Sequence, residues 1–129
     1  KEFQQWVVLL RPQQVTLGAL ILICREEATA FSQISAGAFG ELSGIIREIE
    51  TNISRTFAYN KINYLMLMMV DPEVHFHVIP RYEAPQTFCQ QQFRDQGWPG
   101  PPDLKNSNVI SEEVRHELLA HLKKTWGPL

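Results

Sequence analysis

Asp71-Pro72-Glu73-Val74-His75-Phe76-His77-Val78-Ile79-Pro80-Arg81 is the stretch whose pattern decides how the rest of the chain is read. Side chains of a strand point alternately to its two faces, so Val74, Phe76 and Val78 fall on one side and Glu73, His75 and His77 on the other. The apolar side belongs on a core. Two imidazoles and a carboxylate are odd choices for plain solvation of the opposite side. Histidine donates, accepts, attacks or binds a metal near neutral pH, so two of them in line with a carboxylate mark a candidate chemical site. Upstream, Lys61 to Val70 is rich in Leu, Met, Ile and Tyr, and Asp71-Pro72 interrupts the run before Val74 to Arg81 resumes it. That order predicts a hairpin. Pro72 has no N–H to give to a ladder and belongs in the turn, which puts Glu73 at the mouth of the returning strand. Met66, Met68 and Met69 read as core filling.

Working outward, Trp6 to Leu10 and Gly18 to Cys24 are apolar runs separated by the turn signal Arg11-Pro12-Gln13-Gln14, and they read as the first two strands. From Ser35 the period changes. Phe39, Leu42, Ile45, Ile46, Ile49, Ile53 and Phe57 recur at steps of three and four, a helical stripe with Ser35 as N-cap and an end expected near Tyr59 or Asn60. Gly37, Gly40 and Gly44 weaken its first half by roughly 1 kcal/mol each relative to Ala, so packing must compensate. Residues 83–107 show no clean period and contain Gly97-Trp98-Pro99-Gly100-Pro101-Pro102, which fits neither helix nor central strand. Such a loop lies over a site or interface, or is a rigid surface segment in which Trp98 plugs a gap. Ser111 opens a second helix running to about residue 126, with Glu112 and Glu113 in its first turn and Lys123 and Lys124 in its last, as the helix dipole favours. Its apolar positions are Val114, Leu118, Leu119, Leu122 and Trp126. His116 and His121, five apart, do not align on one face and read as solvated. No internal repeat, glycine-rich phosphate loop or cysteine-based zinc motif is present in the sequence. The fold class expected is α+β: one domain over residues 1–129, an antiparallel sheet of about five strands, a long helix packed on it and a C-terminal helix.

Composition bounds the function. A chain of 129 residues with 44% apolar and 20% charged residues is ordinary globular material, able to bury about two-thirds of its unfolded surface. A net charge of −2 supplies no basic field for a nucleic-acid polymer, although a nucleotide can still bind through local donors. Cys24 and Cys89 read as free thiols in a reducing compartment. No apolar run approaches the ~20 residues that cross a bilayer, and Lys1-Glu2-Phe3-Gln4-Gln5-Trp6 lacks the apolar core of a signal peptide. A cytoplasmic protein without membrane association is expected.

The segment Glu73-x-His75-x-His77-Val78-Ile79-Pro80-Arg81 resembles the signature of the histidine triad proteins, His-x-His-x-His followed by two apolar positions and commonly Pro-Arg. The preceding order of strands, one long helix and a hairpin resembles that family as well, over roughly residues 6–83. The resemblance implies a homodimer that binds a nucleotide and hydrolyses or transfers nucleotidyl groups, with His75 as nucleophile. Glu73 departs from the family's usual histidine or glutamine. Thr16-Leu17-Gly18-Ala19 departs from the glycine and small polar pair of many members, and Met69 stands near the Asn or Gln that helps hold phosphate in relatives.

The chemistry has a basis of its own. Imidazole is about half neutral near pH 6.5, so His75 can attack an α-phosphorus without a strong base beside it. A nucleotidyl-histidine that water then breaks replaces one hard step by two easier ones. His77 is placed to donate to a phosphate oxygen as charge develops, and the second nitrogen of His75 needs an acceptor, most simply a main-chain carbonyl. Glu73 is a candidate for orienting His75 or moving a proton to the leaving group. Asn63 and Arg81 are candidate substrate-binding residues. No cofactor is called for, and no metal in the covalent step. Two other classes remain: a nucleotide-binding protein of the same fold without turnover, and a Glu-x-His-x-His metal-binding module.

Overall fold

The alternation in residues 74–81 is realised in the computed structural model of the protein, which describes residues 1–127. Strands β1 (Trp6–Leu10), β2 (Leu20–Cys24), β3 (Lys61–Leu65) and β4 (His75–Arg81) form an antiparallel sheet in the order β1-β2-β4-β3. Strand β4 is therefore interior, and β3 is an edge. Val78 lies opposite Leu20 and Tyr64, while His77 lies opposite Ile21 and Leu65. This register sends Trp6, Val8, Leu20, Leu22, Cys24 and Val78 to one face, where all are buried.

Helix α1 (Ala36–Thr56) lays Ile45, Ile49 and Ile53 in the same core. Each such side chain contributes roughly 1.5–3 kcal/mol by leaving water. Ser35 caps the helix by accepting from the Ala38 N–H at 3.1 Å, and the Trp6 indole donates to the Ala38 carbonyl at 2.8 Å. The end comes at Thr56, sooner than the stripe suggests, because Phe57 turns to extended backbone and drops its ring into the core. There it faces Gly18, whose φ is +85° and where a Cβ would stand 3.0 Å from the ring. Only glycine fits that position. The chain enters β2 two residues later, which shortens the strand expected from Gly18. Gly37, Gly40 and Gly44 all lie on the exposed side of α1. Helix α2 (Glu112–Thr125) is capped by Ser111, buries Leu118 and Leu122, and is tied to α1 through Trp126 Nε1 to Glu48 and the Gly127 N–H to Asn52. No described helix is long and apolar enough to cross a membrane.

Three expectations need correction. The sheet has four strands, and the further pairing is a separate ribbon, β5 (Gln86–Phe88) with β6 (Gln91–Phe93), inside the segment read as loop. Arms of three residues are too short to show a period. Their turn, Cys89-Gln90, takes positive φ at both residues without the Asn-Gly signal that would have betrayed it. The β3–β4 hairpin also closes less tightly than Asp71-Pro72 implied, since β3 stops at Leu65 and Met68 adopts φ 52°. Finally, Met66 and Met68 pack partly against the core, but Met69 is 86% exposed and fills nothing.

Candidate active site

The face of β4 away from α1 carries His75, His77, Ile79 and Arg81, and its two halves differ. At the Arg81 end, Ile79 is buried with Val15 and Ala19, and Leu65 and Leu104 pack against them. Asn108 ties the 94–108 segment to the 11–19 loop, its amide donating to the Gln14 carbonyl at 2.9 Å and to that of Arg94 at 3.1 Å. The His75 end is left open. Beside it β2 presents half-buried Ile21 and Ile23, and β1 presents Val7 and a Leu9 that is 47% exposed. The result is an apolar floor next to two imidazoles, walled on one side by the covered half.

His75 is buried, and its Nδ1 lies 2.7 Å from the main-chain carbonyl oxygen of Glu73. A carbonyl only accepts, so Nδ1 carries the proton and Nε2 keeps its lone pair, with no protein partner among the described residues. We assign the tautomer on that ground. The His77 ring stands edge-on to it, centroids 5.2 Å apart and planes at 80°. Burial lowers the His77 pKa below the usual imidazole value, and the charges of Arg11 and His75 push it further the same way. His77 is therefore neutral at pH 7. Its Nδ1 is buried without a hydrogen-bond partner. A bare lone pair is less costly there than an orphaned N–H, which puts the proton on Nε2. One ring thus offers a lone pair and its neighbour a donor, side by side on an open surface.

Glu73 does not join them as the alternation suggested. Pairing begins where the Cys24 N–H meets the Val74 carbonyl, so Glu73 sits in the bend before the strand. Its side chain is exposed and makes no hydrogen bond or ion pair among the described residues. What Glu73 brings to His75 is its main-chain carbonyl.

Asn63 and Arg81, the expected substrate-binding residues, are held by partners within the protein. Arg81 is buried; its Nε and Nη2 grip Asp95 at 2.6 and 3.1 Å, Nη1 donates to Asn63 Oδ1 at 2.8 Å, and Nη2 also donates to the Gly100 carbonyl at 2.8 Å. Asp95 further accepts from the Tyr82 N–H at 3.1 Å. The guanidinium is spent on holding the 95–100 turn against β3 and β4, and Asn63 is one of its acceptors. Asp95 was missed because nothing local distinguishes an acid in Phe93-Arg94-Asp95-Gln96-Gly97. Parity also places Arg11 on this face, since it follows Leu9 by two. Among the described residues no three His, Cys, Asp or Glu side chains converge to hold a metal ion. His116 is exposed 4.0 Å from Glu112, and His121 is exposed with its ring 5.6 Å from Phe88, both on α2.

No protein-family profile matches this sequence, and no curated protein matches it. Solved structures do match in shape. A histidine triad protein of Bradyrhizobium japonicum superposes with a TM-score of 0.76 at 16% identity, covering 98% of this chain and 87% of its own. One from Sinorhizobium meliloti gives 0.75 at 19% identity, covering 95% and 84%. A hypothetical histidine triad nucleotide-binding protein of Sulfolobus tokodaii gives 0.70 at 15%, covering 97% and 80%. At such identities what is shared is the fold, and the chain has the histidine triad fold.

Proposed function

We propose that this chain, built on the histidine triad fold, is a nucleotide hydrolase or nucleotidyl transferase acting at the α-phosphate of a nucleoside phosphoramidate or a (di)nucleoside polyphosphate. The observation that carries the reading is the 2.7 Å contact of His75 Nδ1 with the Glu73 carbonyl, which leaves Nε2 as a free nucleophile on an open face beside a neutral donor, His77. Nε2 forms a bond to the α-phosphorus as the bond to the leaving group breaks in line, and the leaving group takes the electron pair. The ring then carries a positive charge, and its Nδ1–H stays on the Glu73 carbonyl. His77 Nε2–H donates to a non-bridging oxygen as negative charge grows there. Water next attacks the phosphorus, the N–P bond breaks with its electron pair returning to Nε2, the protons of the water pass to the product phosphate and solvent, and His75 is restored neutral with the nucleoside monophosphate released. The half-buried isoleucines and Leu9 form a floor suited to a base or ribose.

The chain is further proposed to work as a homodimer in a reducing compartment. Strand β3 is a sheet edge with exposed Leu67, Met69 and Val70 just beyond it, a surface a second copy can cover, and both cysteines are unpaired. A second reading, a nucleotide-binding protein without turnover, is favoured by one observation: the exposed Glu73 carboxylate offers no acid to a leaving group.

The test is release of nucleotide from adenosine phosphoramidates and dinucleoside polyphosphates, with and without chelator, for the native chain and His75→Ala. Chelator-resistant turnover, a fall of at least 10³-fold in His75→Ala, and a nucleotidyl adduct on His75 in quenched samples are expected. Binding without turnover selects the second reading, and turnover that survives His75→Ala overturns the first.

A further inference from the structure

On this reading of the site, we propose that Arg11 is its phosphate-gripping cation and that it selects substrates whose leaving group is itself a phosphate chain. Three observations lead there. First, Arg11 extends the pairing of β1 with β2, its N–H bonding the Ala19 carbonyl at 2.9 Å. It therefore shares a face with Leu9, with Ile21 opposite Leu9, and with His77 opposite Ile21. The neighbour across the strand is only Ala19, whose methyl is too short to screen an arginine from β4. Second, the guanidinium is held but not used up. Nη1 donates to the Gln13 carbonyl at 2.7 Å, while Nε is buried with no partner and Nη2 makes no protein hydrogen bond among the described residues. The Nε–Nη2 edge is the one that grips a phosphate or carboxylate in bidentate fashion, and here Nη2 is its uncommitted half while Nε is shielded from solvent. Arg81, in contrast, has that edge on Asp95. Third, the charge of Arg11 is the largest influence on the His77 ring after burial, as expected of two side chains near one another on that face. Arg11 and His77 thus stand on the same face of the sheet, where Asp71 is the acid whose charge also reaches His77.

The leaving group follows from what this face lacks. An amine expelled from a phosphoramidate must collect a proton, and the Glu73 side chain does not reach in to give one. When the bond from the α-phosphorus to a bridging oxygen breaks, that oxygen leaves as a terminal phosphate oxygen with its electron pair. It needs charge neutralisation and no proton. Arg11 supplies that neutralisation.

Arg11→Gln and Arg11→Lys test the idea by comparing a dinucleoside tetraphosphate with an adenosine phosphoramidate. The ratio of kcat/KM between them is expected to fall about 10–100-fold in Arg11→Gln, the range of a charged hydrogen bond to phosphate, and to recover in part in Arg11→Lys. A ratio that stays at the native value overturns the proposal. ATP against AMP binding by calorimetry needs no turnover. Loss of the native preference for ATP in Arg11→Gln supports the assignment even if the native chain hydrolyses nothing, an outcome that would sink the hydrolase reading alone. Equal preference in native and Arg11→Gln protein overturns it. Thermal melts of both variants confirm that folded protein is being compared.

Discussion

Asp95→Asn isolates the ion pair that holds the covered half of the site face. The Arg81 side chain is 5% exposed and that of Asp95 is 1%, with Nε and Oδ2 2.6 Å apart, so solvent does not screen the pair. Substitution leaves the guanidinium buried with the Asn63 and Gly100 oxygens as acceptors and turns an amide N–H₂ or a single neutral oxygen toward its donors. Removing one partner from a buried pair costs about 3–5 kcal/mol, because the other charge stays buried uncompensated. For a chain of 129 residues the unfolding entropy makes each kcal/mol worth about 4 °C in Tm, so the expected fall is roughly 12–20 °C. Thermal and urea unfolding followed by circular dichroism measure the Tm fall and the free-energy loss, with the double variant Arg81→Met/Asp95→Leu as the companion. If the pair is structural, the double variant recovers much of the loss, since no buried charge remains. A loss under about 1 kcal/mol for Asp95→Asn, the range of a solvent-exposed pair, would refute the assignment of Arg81 to the 95–100 turn. It would return Arg81 to the pool of residues free to meet a substrate.

Two further outcomes follow from geometry. Because the His77 pKa is lowered in the folded state, the unfolded chain binds more protons, so stability is full above the ordinary imidazole value and is lost as pH falls through the lowered one. Tm measured from pH 8 to pH 5 should decline on the acid side, and His77→Gln should flatten that decline; an unchanged slope would show that the ring is not desolvated. Gly18→Ala forces a side chain onto φ +85° and against the Phe57 ring, with an expected loss of about 1–3 kcal/mol in urea unfolding, and a neutral result would show that Phe57 and the 11–19 loop give way freely.

The amino-acid sequence by itself determined the parts of this protein that repeat on a local period. Polar and apolar residues alternate in β4, helical steps run from Phe39 to Ile53, and Ser35 and Ser111 cap the two helices, so these three elements were legible within a few residues of their bounds. The same alternation put His75 and His77 on one face and pointed to a main-chain acceptor for His75, which the Glu73 carbonyl turned out to be. Tertiary structure alone decided which polar side chains were left free. Arg81 and Arg11 look alike in sequence, each an arginine at the end of a strand. Arg81 is consumed because Asp95, Asn63 and the Gly100 carbonyl arrive from separate segments, while Arg11 keeps Nη2 uncommitted because only Gln13 reaches its guanidinium. Glu73 lost its place on the triad face to where pairing with β2 starts, one residue after it. Period and capping are properties of neighbours along the chain; the pairing of charges depends on which distant segments are folded against one another.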